Sequence, residues 1–372
     1  MHKLTFFPLG NADSCRIDLE NGKKILIDFA DIRCADDPDD LRIALADELR
    51  EDLKKAAREY YDVVAFTHLD NDHICKASEF FFLDHAQTYQ GEGRIKINEL
   101  WVPAAAVIEE GCFDEDRIIR AEARYRLREG KGIRVFSRPA KLKEWLEGEG
   151  LSLESRQHLI TDAGLLIPGF ELGVQGVEFF VHSPFAKHLN DTEVVDRNIS
   201  SLVMQATFVV NNVLTRVLFG SDLDYTAISD IVNVTRAKGR DERLESDITK
   251  LWHHCSYTAI GPEKGEEKTK PVDEVKWIFE DKLPKNAIII STSKPIPSND
   301  DDDQPPHRQA AAYYKDCVAA VGGEFKVTME HPNSFKPEPL IIEIDGAKGR
   351  IKKRYVSGAA AAVASKAPRA GL

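Results

Sequence analysis

The chain has 372 residues, 50 Lys+Arg against 62 Asp+Glu, and a formal charge of −12. Its 42% hydrophobic and 30% charged content excludes wholesale disorder, and 23 Gly with 17 Pro exclude a collagen-like or linker-dominated chain. No apolar run approaches the roughly 18 residues that cross a bilayer, and Met1–Gly10 lacks a secretory apolar region, so a soluble protein that touches no membrane is expected. Six scattered cysteines without a CxxC pair read as free thiols of a reducing cytoplasm. The acidic balance argues mildly against a chain that coats nucleic acid through its whole-molecule field.

Leu4–Leu9 reads as an opening strand, Gly10–Asp13 as a turn and Cys15–Leu19 as a strand of period two. Asn21-Gly22 signals a hairpin into a buried strand, Lys24–Asp28. After an acidic break at Asp36–Asp40, Leu41, Leu45, Leu49 and Leu53 predict a helix over about Asp39–Tyr60. Asp62–Phe66 is a buried strand that runs directly into Thr67-His68, and residues 77–169 read as a long, partly helical insertion. Val174–Val181 returns to strand, Ser201–Val210 and Val213–Gly220 make a hairpin about Asn211-Asn212, and Ile228–Arg236 is a helix. A short strand ends at Leu251-Trp252, followed by a helix (Val272–Phe279) and a buried strand (Asn286–Ser291). A helix (Gln309–Ala320), a strand (Glu324–Met329) and a hairpin near Asp345-Gly346 close the pattern. Hairpins at both ends with helices between point to an α/β sandwich, not a purely parallel sheet. Residues 1–356 are expected as one domain and 357–372, Ala-rich, as a disordered tail.

The densest chemistry lies in Thr67-His68-Leu69-Asp70-Asn71-Asp72-His73, where four imidazole or carboxylate groups fall within six residues just after a strand. A strand-end loop can turn all four into one cleft, and such a set of oxygen and imidazole donors suits one or two divalent metals. The segment resembles the H-x-H-x-D-H signature of the metallo-β-lactamase superfamily, with Asp70 in place of the second histidine. H-x-D-x-D-H is the variant of the soluble hydrolase domain of ComEC-type DNA-uptake proteins.

Further motifs come in the family's order. Leu9-Gly10-Asn11-Ala12-Asp13-Ser14 is similar to its G-x-G-D-S start, and Leu26-Ile27-Asp28 to its I-D-x-G. Asn198 with Ser201-Leu202-Val203 resembles N-x-x-S-L-V, and Leu218-Phe219-Gly220-Ser221-Asp222 resembles L-x-T-G-D. Leu251-Trp252-His253-His254-Cys255-Ser256 resembles V-P-H-H-G-S, and Asn299 with Pro306-His307 is a looser match to a late N-x-x-x-H-P element. Cys75-Lys76 stands where the family has Gly-Gly, and Cys255 where it has glycine.

The resemblance implies a metallo-β-lactamase αββα sandwich with a helical insertion. It implies that His68 and Asp70 bind one metal, that Asp72, His73 and His254 bind a second, and that Asp222 bridges them. Asp72, Asp222 and His254 are thereby also the catalytic candidates. His182 and His253 are further candidates, each with a substrate-side or supporting role as its alternative. Lys76 is either a phosphate contact or a solvated lysine, and Asn198 and His307 are candidate substrate contacts. A carboxylate at position 70 hardens the site towards Mn²⁺ or Mg²⁺, although the affinity order still favours Zn²⁺.

Within 117–143 there are ten basic and two acidic residues, a local +8 against −20 for the other 345. Arg117, Arg120, Arg124 and Arg128 share one helical face and could match successive phosphates, pair with carboxylates, or form a partner surface. The expected function is metal-dependent hydrolysis of phosphodiester bonds in DNA or RNA by a metal-bound hydroxide, with nucleic acid as the partner. A small-molecule hydrolase (lactone, β-lactam, thioester or cyclic phosphodiester) and a binding subunit with a vestigial metal site are the alternatives.

Overall fold

Apolar alternation and tight turns build the start of the first sheet. β1 (His2–Phe6) pairs antiparallel with β2 (Cys15–Asp18), and β2 with β3 (Lys24–Ile27) across the Asn21-Gly22 turn. From there the pairing becomes parallel through β4 (Tyr60–Ala65), β5 (Lys96–Pro103), β6 (Ile133–Phe136) and β7 (Ile160–Thr161). The second sheet opens with β8 (Val177–Ser183), β9 (Val203–Val210) and β10 (Val213–Phe219), all antiparallel. Asn211 and Asn212 both take the left-handed conformation that a two-residue hairpin turn requires. Parallel strands β11 (Ile248–Lys250), β12 (Ile288–Ser291) and β13 (Glu324–Val327) complete it. Finally β14 (Leu340–Asp345) and β15 (Lys348–Ile351) return to the first sheet beside β1. The computed structural model describes residues 1–190 and 196–351. The tail expected at 357–372 lies outside the described residues.

Period-two alternation gives each sheet two apolar faces, and three packed cores result. Between the sheets, Leu4, Ile25, Val63 and Trp101 meet Phe179, Met204, Val217 and Ile290. On the outer face of the first sheet, Leu26, Val64 and Leu100 pack with Leu49, Ile119 and Leu146 from helices Leu45–Lys55, Glu115–Glu129 and Ala140–Gly148. On the outer face of the second, Val203, Leu218 and Ile289 pack with Ile228, Tyr314 and Val318 from helices Tyr225–Ala237 and Arg308–Ala320. The layers therefore run helix, sheet, sheet, helix.

Two expectations change in detail. The helix predicted over Asp39–Tyr60 spans only Leu45–Lys55, because Ala57 turns left-handed and Tyr60 already opens β4. Segment 77–169, expected as a partly helical insertion, also contributes β5, β6 and β7, so it extends the first sheet as well as covering it. Those strands are separated by helices in a β-α-β rhythm. Among the described residues, no helix is long and apolar enough to cross a membrane.

Candidate metal centre

The candidate ligands come from loops at the carboxyl ends of strands in both sheets. β4 runs into Thr67 and His68, and the short helix Asn71–Ile74 then carries Asp72 and His73. Asp28, just past β3, adopts a left-handed φ of 58°, which a short polar side chain tolerates better than most. Its carboxylate thereby reaches across to the next strand end. It accepts from the Thr67 N–H at 2.7 Å and the Thr67 hydroxyl at 2.8 Å, and it holds His73 Nδ1 at 2.9 Å. That contact directs His73 Nε2 into the cluster, where it lies 3.4 Å from Asp222 Oδ1 and 3.8 Å from Asp13 Oδ2.

The second sheet supplies the opposite wall. Gly220 follows β10, and a side chain there would collide with the Lys250 carbonyl and the Trp252 ring, so the motif needs a glycine for this close approach. Asp222 comes two residues later, with Oδ2 3.4 Å from His254 Nε2. His254 Nδ1 donates to the Thr292 carbonyl at 2.7 Å, while its Nε2 lies 3.1 Å from Asp72 Oδ2. His253, His254 and Cys255 are all left-handed, at φ of 45°, 50° and 67°. Such residues cost about 1–3 kcal/mol each and persist only where neighbours fix them. Here the His253 N–H donates to the Ser221 carbonyl, and the Cys255 carbonyl accepts from the His307 N–H. Cys255 thus carries a conformation that the glycine of the resembling motif would adopt more cheaply. Lys76, left-handed at φ 59°, does the same at the end of the His68–His73 segment.

The result fits a divalent cation. Asp13, His73, Asp222 and His254 bring ligand atoms within 4.8 Å of one another, as do His68, Asp72 and His73. His68 Nε2, His73 Nε2, Asp13 Oδ1 and Asp222 Oδ1 are buried without a hydrogen bond. Polar atoms left so are costly, and a cation would satisfy them together. Burial alone would lower the His254 imidazole, but Asp222 and Asp72 outweigh it and raise it to about 10. Burial also opposes charge on His73, yet Asp28 and Asp222 raise it well above its ordinary value. Burial would raise Asp222, but His254 and His73 hold it well below the usual carboxylate range. A bound cation would take the place of the protons that these carboxylates favour on the two imidazoles.

Asp70 sits at the rim, half-exposed, with Oδ2 3.5 Å from His68 Nε2. Its Oδ1 accepts from Arg197 Nη1 at 2.9 Å. Arg197 escaped the sequence reading, yet it joins several segments. Its remaining donors reach Glu109 at 2.8 and 3.0 Å, Asp116 at 2.6 Å and the Leu69 carbonyl at 2.9 Å. Also missed were Asp13, Asp28 and Lys250. Asp13 and Asp28 stood within family-like motifs, but Lys250 had no sequence signal. Its ammonium is buried on Asp13 and on the Gly220 carbonyl at 2.9 Å.

The other predicted residues divide. His253 lies on the turn that carries His254, half-buried, its imidazole lowered mainly by burial. His307 packs behind that turn with both ring nitrogens engaged, Nδ1 by the Tyr257 N–H at 3.3 Å and Nε2 by the Asp303 carbonyl at 3.2 Å. Asn198 begins the turn that leads to Leu202, whose N–H donates to the Thr67 carbonyl, and Asn198 Oδ1 is buried without a hydrogen bond. His182 does not join the cluster; its Nε2 donates to the Arg243 carbonyl at 2.8 Å. Three of the four arginines in the row have internal partners. Arg120 reaches the Glu109 carbonyl at 2.5 Å, Arg124 the Val107 carbonyl at 2.7 Å and Glu110 at 2.8 Å, and Arg128 reaches Glu149 at 3.2 Å. Arg117 is exposed.

No family model matches the chain, and no curated protein matches it. Among solved structures it is similar to one described as a new diphosphatase from the PhnP family, with 12% identity and a TM-score of 0.30 over 78% of this chain and 86% of that one. A likeness of that strength carries no argument about activity.

Proposed function

We propose that the chain is a metal-dependent hydrolase of phosphodiester bonds, of the metallo-β-lactamase type, with a nucleic-acid strand as its substrate. The observation that carries this reading is the convergence of His68, Asp72, His73, Asp222 and His254 around buried ligand atoms that lack hydrogen bonds. The helix-sheet-sheet-helix layering and the order of the sequence motifs support the family. The nucleic-acid part rests on the H-x-D-x-D-H resemblance.

His68, Asp70, Asp72, His73, Asp222 and His254 would hold one or two divalent ions, with Asp13 as an additional donor. The carboxylate-rich set favours Mn²⁺ or Mg²⁺ as harder ions and still accepts Zn²⁺. Bound there, such ions supply Lewis acidity that neutralises charge on phosphoryl oxygens and lowers the pKa of water. The chain's own groups set the geometry. Asp28 and the Thr292 carbonyl orient His73 and His254, as outer partners of ligating histidines do. Asp72, partly exposed at the rim with Oδ2 3.1 Å from His254 Nε2, would help to hold the ion on its open side. His253, on the adjoining turn, would contact the substrate.

A second reading, a small phosphodiester as substrate, is favoured by the internal pairing of Arg120, Arg124 and Arg128. The test is metal-stripped protein incubated with labelled single- and double-stranded DNA and RNA and with bis(p-nitrophenyl) phosphate, adding Mn²⁺, Mg²⁺ or Zn²⁺ separately. Strand cleavage restored by one of these ions is expected. Turnover of the small diester alone supports the second reading, and no hydrolysis of any diester with any ion sinks both.

A further inference from the structure

The alternation of β8 decides where His182 goes. Phe179 and Val181 face the core between the sheets, so Phe180 and His182 face the other side, towards helix Tyr225–Ala237. There they line a cavity of about 210 Å³ together with Phe185, Thr235, Lys238 and Arg240. A dry cavity of roughly 150 Å³ takes benzene, and pockets for drug-sized ligands begin near 300 Å³. This one therefore suits a single flat ring system, with the rest of the ligand outside.

Its polar atoms are specific. His182 is only 2% exposed, and the Arg243 carbonyl that its Nε2 meets can only accept, so Nε2 carries a hydrogen. Burial pushes the imidazole down to about 4, which leaves the ring neutral at pH 7 and Nδ1 free to accept. Thr235 is also buried on the cavity wall. At the edge, Lys238 and Arg240 are exposed, and Arg240 commits Nη1 to the Gly164 carbonyl at 2.6 Å. No carboxylate is among the described residues that line the cavity.

We infer that this cavity binds a nucleoside monophosphate. The base lies against Phe185 and donates an N–H to His182 Nδ1, and the phosphate rests on Lys238 at the edge, beside Arg240. The site uses none of the candidate metal ligands, so it stands or falls apart from the hydrolase reading. The test is calorimetric titration of the full, metal-stripped chain with AMP, CMP, GMP and UMP, with the four nucleosides, and with inorganic phosphate. At least one monophosphate is expected to bind, with its nucleoside and inorganic phosphate each at least tenfold weaker. Lys238→Glu, at an exposed position, should weaken binding at least tenfold. Val234→Trp, which fills the cavity mouth, should abolish it, and Asp222→Ala should leave it unchanged. Binding of no monophosphate, equal binding of inorganic phosphate, or loss of binding only in Asp222→Ala would each overturn the inference.

Discussion

The cluster around His68–His73 and the arginine face of helix Glu115–Glu129 are both dense in charge, yet their atoms end differently. In the cluster, His68 Nε2, His73 Nε2, Asp13 Oδ1 and Asp222 Oδ1 converge with no hydrogen bonds of their own. On the helix, Arg120, Arg124 and Arg128 are already engaged with carbonyls and carboxylates of the neighbouring segments 107–110 and 149. Buried donor atoms left open call for a ligand, whereas guanidinium groups closed on their own chain contribute to the fold. Local charge density does not separate the two cases; partner accounting does.

The largest effect should come from removing a candidate ligand at the open end of this contrast. Loss of an outer partner typically costs 10–100-fold in metal affinity or activity, so Asp222→Ala should cost more than that in both. Calorimetric Mn²⁺ binding and diester turnover check it. Near-normal ion binding in the variant would mean that the orphaned atoms are not a metal site.

The closed end has its own test. Glu122 is fully buried on the arginine helix, held by Arg126 Nε at 2.6 Å and by the His85 ring and N–H, each at 2.9 Å. Burial pushes its carboxyl up, but His85 and Arg126 outweigh that and hold it below the usual range. Its folded pKa is therefore depressed. The stability it contributes is present above the unfolded carboxylate value of about 4.3 and is lost as pH falls through the folded one. Breaking such a pair costs about 3 kcal/mol, so Glu122→Gln should lose that at pH 7 in urea unfolding and lose less at pH 3. An equal deficit at both pH values would show that the charge on Glu122 is not what holds the helix.

The same contrast explains what was legible in the sequence. His68, Asp70, Asp72 and His73 could be found because a strand-end loop concentrates them within six residues. Asp222 and His254 followed from short motifs at later strand ends. Asp28 and Asp13 could be seen as motif members, but not as partners of His73, because the crossing contacts depend on a left-handed Asp28 and on two sheets closing. Arg197 and Lys250 are single cations with no pattern around them, and only the fold shows what they touch. The arginine face was readable as a face, but its acceptors belong to segments distant in sequence. His182 was correctly placed at the end of a strand. The parity of β8, with Phe179 and Val181 facing the core, sends its ring outward.

Arg197 sits between the two regions, since it holds Asp70 on one side and Glu109 and Asp116 on the other. Arg197→Ala should weaken metal binding about tenfold by freeing Asp70, within the range for outer partners, and Arg197→Lys should recover part of it. The readout is ion affinity by calorimetry. An unchanged affinity would detach Asp70 from the metal site.

The smallest effect is expected from Arg120→Ala/Arg124→Ala. Glu110, their shared carboxylate partner, is 78% exposed, and pairs of that kind contribute at most about 1 kcal/mol. The carbonyl contacts to Glu109 and Val107 add local order to the turn after the short helix Ala105–Ile108. The double variant should therefore lose about 1 kcal/mol in unfolding experiments, while strand affinity at fixed salt changes less than about threefold. If affinity instead falls tenfold or more and its salt dependence becomes shallower, these guanidinium groups must leave their internal partners for phosphates. The arginine face would then belong with the metal cluster as part of one substrate path.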